Sequence, residues 1–246
     1  MPVTLPPPVE AALLLDIDGT LLEFAPTPES VVVPADLQAT LRRLKGALGG
    51  ALAVVSGRPI EQIDALLGDG PHAVAGEHGG ALRHAPGEPV LRPDRPGLPS
   101  GWLAQADALA DAHPGALVER KQRGFVLHYR LAPRAGPALR EAALALIAAD
   151  AGFQMLEAAM AWEVRPVGID KGVAVQALMA RAPFAGRRPI FIGDDVTDED
   201  GIRAAEALGG TGLLVAPAFG SVTAVRDWLG RSAALFETGE GWPGLR

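Results

Sequence analysis

The sequence predicts an α/β fold, a parallel sheet covered by helices on both faces, with an α+β unit inserted into it. Three observations predict this. Short, wholly apolar runs alternate with segments of helical spacing, the pattern of a buried parallel sheet. A stretch with prolines at 86, 89, 93, 96 and 99 interrupts that alternation. The same alternation then resumes in the last third of the chain.

The elements follow in order. Ala11 to Leu15 is an apolar run short enough for a buried strand. Leu37, Leu41, Leu44 and Leu48 fall on one helical face, and Gly49-Gly50 ends that helix. Ala51 to Val55 is a second buried strand, Ile60, Ile63 and Leu67 mark a second helix, and Ala73 to Ala75 is a brief third strand. Arg83 to Ser100 is too rich in proline for a helix or a central strand and reads as irregular.

From Trp102 the order changes to helix, hairpin, helix, hairpin. Leu117 to Lys121 and Phe125 to Arg130 form the first hairpin, and Phe153 to Ala158 with Ala161 to Arg165 the second. A helix over Ala138 to Ala149 lies between them. An even-length loop, Gln122 to Phe125, is expected to put Glu119, Lys121, His128 and Arg130 on one face; a one-residue slip would separate them. Asp170 then caps a helix running to about Ala180. Pro189 to Ile192 is a strand, Asp198 to Leu208 a helix, Gly212 to Val215 a last strand, and Ser221 caps the closing helix. The expected division is residues 1–95 with 168–246 as the core and 96–167 as the insertion.

Composition narrows the function. The 246 residues carry a formal net charge of −7, 48% are apolar, and no basic block stands out. Neither nucleic acid nor a membrane surface is the expected partner. The absence of cysteine excludes disulfides, thiolate catalysis and thiolate metal sites. No secretory signal or spanning segment is evident, so the expectation is a cytoplasmic monomer acting on a small molecule. Lysine occurs only at 45, 121 and 171; the two readings of this are places that want a compact point charge and chance placement.

Four segments carry chemistry. Leu13-Leu14-Leu15-Asp16-Ile17-Asp18-Gly19-Thr20 puts two carboxylates two positions apart at the end of a buried strand, where α/β sheets place their ligands. Asp16 suits a carboxylate nucleophile and Asp18 a proton donor; an acidic strand-end turn is the bland alternative. Phe191-Ile192-Gly193-Asp194-Asp195-Val196-Thr197-Asp198 again ends a strand in carboxylates, hard oxygen ligands of the kind Mg2+ takes. Asp194 and Asp16 can each supply one, while Asp195 and Asp198 can hold metal-bound waters or Lys171; an acidic helix start explains Asp198 to Asp200 equally well. Ser56-Gly57-Arg58-Pro59 follows the second strand, and Ser56 with the backbone N–H groups there can bind phosphate oxygens or serve as a plain cap. Lys171 sits at a helix start, against the dipole, so a local anion is expected beside it.

In this order, the four segments resemble the haloacid-dehalogenase-like phosphatases, whose core is Rossmann-like and whose insertion is a cap. That resemblance implies Asp16 as nucleophile, Asp18 as acid/base, and Ser56 and Lys171 on the phosphoryl group. It implies Mg2+ on Asp16, the Asp18 carbonyl and Asp194. The strings Gly76-Glu77-His78-Gly79, Val118-Glu119-Arg120-Lys121, His128-Tyr129-Arg130 and Glu163-Val164-Arg165-Pro166 look like the trehalose-6-phosphate phosphatase family in particular. On that likeness Gly57, Arg58, Glu77, His78, Glu119, Lys121, Arg130 and Glu163 contact the substrate. Another capped sugar phosphatase, such as one for sucrose 6-phosphate, a phosphosugar mutase and a non-catalytic binding module are the competing readings.

Overall fold

The computed structural model describes residues 4–25, 30–94, 97–121, 123–158 and 160–245. The chain divides into two compact units, Met1–Arg92 with Asp170–Arg246, and Pro93–Ile169. The expected boundary residues 95 and 96 lie outside the described residues.

In the first unit, β1 (Ala11–Leu15), β2 (Leu52–Val55), β3 (Ala73–Gly76), β9 (Arg188–Gly193) and β10 (Thr211–Leu214) run parallel. A short antiparallel strand, β4 (Ala81–Arg83), extends the sheet at one edge. The order is β10-β9-β1-β2-β3-β4. Strand order therefore reverses at β1, and the crevice outside the carboxyl ends of β1, β2 and β9 is the topological switch point. Every residue of β1 is fully buried. Its side chains alternate between two cores: Leu13 and Leu15 on one face, Ala12 and Leu14 on the other. The first core takes the apolar faces of α1 (Leu37–Ala47), α2 (Ile60–Leu67) and α8 (Val222–Glu237). The second takes those of α5 (Lys171–Met179) and α6 (Asp198–Ala207).

The strand β4 is a departure from the sequence expectation, which treated the stretch from Arg83 as irregular. It is three residues long and pairs with β3 on one side only, with a single bridge from Leu82 to Leu91 on the other. So short an edge leaves no periodic signature. A one-turn helix, α7 (Val215–Ala218), also follows β10 where the strand was expected to include Val215.

The second unit is an antiparallel sheet, β5 (Leu117–Arg120), β6 (Phe125–His128), β8 (Ala161–Pro166) and β7 (Phe153–Ala158), in the order β5-β6-β8-β7. Phe125, Leu127, Phe153, Trp162 and Val164 pack on one face with Trp102 and Ala106 of α3 (Trp102–Asp111) and Leu139 and Ala143 of α4 (Gly136–Ile147). Glu119 pairs with Val126, and Val126 with Glu163, so these share the other face. Lys121 and His128 join them by alternation, with Lys121 N–H donating to the Gly124 carbonyl. The even register thus holds, but pairing continues closer to the turn than the expected Gln122 to Phe125 loop; Gln122 itself lies outside the described residues. Among the described residues no helix is long and apolar enough to cross a membrane.

Candidate active site

The register of the parallel strands decides which loops meet. Leu15 of β1 is level with Ile192 of β9 and Val54 of β2, so the chain leaves all three strands at one height. Asp16 N–H donates to the Ile192 carbonyl at 2.9 Å, and Ser56 N–H to the Ala75 carbonyl at 2.9 Å. Gly19 has φ +83°, and a Cβ there would lie 2.1 Å from an Asp194 carboxylate oxygen. The turn after Asp18 can therefore pack on Asp194 only as glycine.

Lys171, the first residue of α5, is placed by the cap before it: Asp170 Oδ1 accepts the Val173 N–H at 2.8 Å. Its ammonium donates to Asp16 Oδ1 at 2.7 Å and to Asp198 Oδ1 at 2.6 Å. All three side chains are buried. These carboxylates are the anions expected beside a lysine that opposes the helix dipole. Asp198 Oδ2 accepts the backbone N–H groups of Asp194 at 2.9 Å and Asp195 at 3.2 Å. Both Asp198 oxygens are thus engaged, and the residue holds Lys171 and the Asp194 loop together.

Oxygens of Asp16, Asp194 and Asp198 all lie within 4.8 Å of one another. Three carboxylates against one ammonium leave an excess of two negative charges. Burial, more than any neighbour, raises the Asp16 carboxyl well above its ordinary value, against the pull of Lys171. Burial together with Asp195 and Asp198 pushes the Asp194 carboxyl up to about 7. Burial alone would lower Lys171, yet Asp16 and Asp198 outweigh it and the ammonium is raised. The cluster is short of positive charge, and its donors are hard oxygens. Both properties suit a small divalent cation.

The other residues singled out from sequence fall into separate groups. Asp18 accepts Arg58 Nε at 2.7 Å on Oδ2 and Arg58 Nη2 at 2.7 Å on Oδ1. Ser56 is buried and its Oγ accepts the Arg58 N–H at 3.2 Å. Gly57 lies against His78, and Glu77 accepts Arg92 Nη1 at 2.8 Å. Asp195, expected to hold a metal-bound water or Lys171, has Oδ1 accepting the N–H and the hydroxyl of Thr197 at 2.9 and 2.7 Å, closing the turn into α6. It is outside the oxygen cluster of Asp16, Asp194 and Asp198.

In the second unit, Glu119 accepts His128 Nε2 at 2.9 Å and ion-pairs with Lys121. Against the cost of burial, the His128 hydrogen bond and Lys121 lower the Glu119 carboxyl to about 2. Glu163 is buried on the same sheet face, and Arg130 follows just beyond the end of β6. Arg165 is also buried there, level with Gln154, and was not singled out from sequence. Its signal was available: it stands two residues from Glu163 in a strand, hence on the same side.

Residues 14–223 match the family model described as trehalose-phosphatase. The chain is 39% identical over 231 residues to a probable trehalose-phosphate phosphatase of Sinorhizobium fredii, covering 91% of this chain and 87% of that one. It is 37% identical over 218 residues to the trehalose-6-phosphate phosphatase of Escherichia coli, covering 87% and 81%. Among solved structures, the C-terminal domain of a Candida albicans trehalose-6-phosphate phosphatase superposes with a TM-score of 0.75. That match is at 20% identity and covers 92% of this chain and 93% of the other.

Proposed function

The chain belongs to the trehalose-phosphatase family, and we propose that it hydrolyses trehalose 6-phosphate to trehalose and phosphate through a phosphoryl group carried on Asp16. The observation that carries this reading is the Lys171 ammonium bound both to Asp16, at the carboxyl end of β1, and to Asp198, at the start of the helix that follows the adjacent strand β9.

A phosphate monoester offers a nucleophile two obstacles, its negative charge and a poor alkoxide leaving group. Asp16 attacks phosphorus, forming a bond from its carboxylate oxygen as the bond to the sugar oxygen breaks. Asp18 delivers a proton to that sugar oxygen, then takes one from the water that displaces Asp16 from phosphorus. Lys171 fixes one oxygen of Asp16 and offsets charge on the phosphoryl group, with Ser56 and its neighbouring N–H groups on the other oxygens. Asp16, Asp194 and the Asp18 carbonyl would hold Mg2+, which when bound would supply the positive charge that the carboxylate cluster and the phosphoryl oxygens need. Glu119, Lys121, Arg130 and Glu163 recognise sugar hydroxyls.

Phosphate release from a panel of sugar phosphates, with Mg2+ and after chelation, tests the reading. Trehalose 6-phosphate is expected to be the preferred substrate and chelation to abolish turnover. Faster release from sucrose 6-phosphate would move the substrate assignment, and undiminished turnover after chelation would remove the metal from it.

A further inference from the structure

Arg58, which the family likeness implies contacts substrate, pairs in this structure with a carboxylate of its own chain. Nε and Nη2, the two parallel donors of the fork, both point at the Asp18 carboxylate, at 2.7 Å each. Nη1 reaches Gln62 Oε1 at 3.4 Å. A fork-on-fork pair fixes the plane of the carboxylate as well as its position, which a point charge does not.

The backbone that carries Arg58 is held in turn. Glu77 and His78 sit side by side in the left-handed region, at φ 53° and 55°, although neither is glycine. Conformations of this kind persist where the surroundings over-determine them. Here the Glu77 N–H donates to the Arg58 carbonyl at 3.0 Å and the His78 N–H to the Ser56 carbonyl at 2.9 Å. The His78 ring lies so close under Gly57 that a Cβ there would come within 2.5 Å of Nε2. Arg92 anchors the turn through Glu77 at 2.8 Å. A strained turn thus braces the three residues that end in the Arg58 fork.

We propose that Arg58 is a positioning residue for Asp18: its fork takes one lone pair of each Asp18 oxygen and so fixes the plane in which the remaining lone pairs, which carry the proton, meet the leaving oxygen, and the Glu77-His78 turn holds Arg58 in place to do so. This rests on the reading of Asp18 as proton donor. The inference follows from the pairing geometry and from the bracing.

The test is single-turnover phosphoenzyme formation from trehalose 6-phosphate and from p-nitrophenyl phosphate, whose aryl oxide leaves without protonation. In Arg58→Ala the rate from trehalose 6-phosphate is expected to fall about 10- to 100-fold, as for a misplaced catalytic group, and from the aryl phosphate by less than about threefold. KM for trehalose 6-phosphate should stay within about threefold of wild type. In an Asp18→Asn background the same substitution should add less than about twofold, since the two residues act as a unit. Arg58→Lys keeps the charge but not the fork and should remain closer to Arg58→Ala than to wild type. Equal losses on both substrates, a raised KM at unchanged kcat, or a fully multiplicative loss in the Asp18→Asn background each overturns the proposal. Should Arg58→Ala fail to fold by circular dichroism, Arg58→Lys decides: wild-type turnover of trehalose 6-phosphate in that variant overturns it. Failure of the underlying reading looks different, because Asp18→Asn alone would then lose equally on both substrates.

Discussion

Lys171 Nζ donates to Asp16 Oδ1 at 2.7 Å across 155 positions of sequence. The contact joins the carboxyl end of β1 to the start of α5, and it is buried on both sides. If Asp16 is the nucleophile, as proposed, a lysine so placed holds it still and shares the charge of the group it attacks.

The third member of the contact, Asp198, separates two acidic residues that are hard to tell apart in sequence. Replacing Asp198 with alanine removes one of the two carboxylates on the buried Lys171 ammonium and the side-chain acceptor of two backbone N–H groups, at a cost of about 3–5 kcal/mol. Asp195 closes only the turn into α6, so Asp195→Ala should cost about 1 kcal/mol. Thermal denaturation measures both. Activity should fall at least about 100-fold in Asp198→Ala and far less in Asp195→Ala. Equal losses would return Asp195 to the metal centre.

Protonation of Asp194 predicts how the cation acts on stability. Its carboxyl is raised to about 7 in the folded protein, so the folded state holds an extra proton between the ordinary carboxylate range and that value. The metal-free protein therefore loses stability as pH rises through this window. A bound divalent cation removes that loss, so the Mg2+-induced gain in Tm should be larger at about pH 8 than at about pH 6. A gain that is flat or larger at the lower pH contradicts the assignment of Asp194 to the cation.

Asp18→Asn should slow phosphoenzyme formation from trehalose 6-phosphate far more than from an aryl phosphate. A general acid contributes about 100- to 10,000-fold where the leaving group needs a proton. Single-turnover rates are required, because the proposed mechanism also gives Asp18 a part in hydrolysis of the intermediate.

The polar face of the second unit predicts substrate selectivity. Charged groups on sugar hydroxyls are worth about 1.5–3 kcal/mol each, or roughly ten- to a hundredfold. Lys121→Ala and Glu119→Ala should lower kcat/KM for trehalose 6-phosphate by about that factor and leave a small aryl phosphate nearly untouched. Glu119 is held ionised by His128 and Lys121, with a carboxyl at about 2. The variants therefore change recognition rather than a titration near neutral pH. Equal losses on both substrates would detach these residues from the sugar.

Much of this was legible in the sequence because burial dictates it. The strands β1 and β2 are runs of five and four apolar residues; Asp16 stands directly after β1 with Asp18 two positions on, and Asp194 directly after β9. What was hidden depends on side-chain direction across distant chain. The Arg58 fork meets Asp18 from 40 residues away, and nothing in Ser56-Gly57-Arg58-Pro59 distinguishes a phosphate ligand from an internal partner. Asp194 and Asp195 are neighbours of one type, and only the turn through Thr197 sends the second away from the cluster. Arg92 lies in a proline-rich stretch with no period, so its bond to Glu77 left no trace in the pattern.

The central claim is that the phosphoryl group passes through Asp16. Rapid acid quench of the enzyme mixed with trehalose 6-phosphate and Mg2+, followed by peptide mass spectrometry, tests it most directly. The account predicts acid-stable, base-labile phosphate on the peptide that contains Asp16, and neither phosphopeptide nor phosphate release in Asp16→Asn. Phosphate release at the wild-type rate by Asp16→Asn, or a phosphoryl group on any other residue, would contradict it.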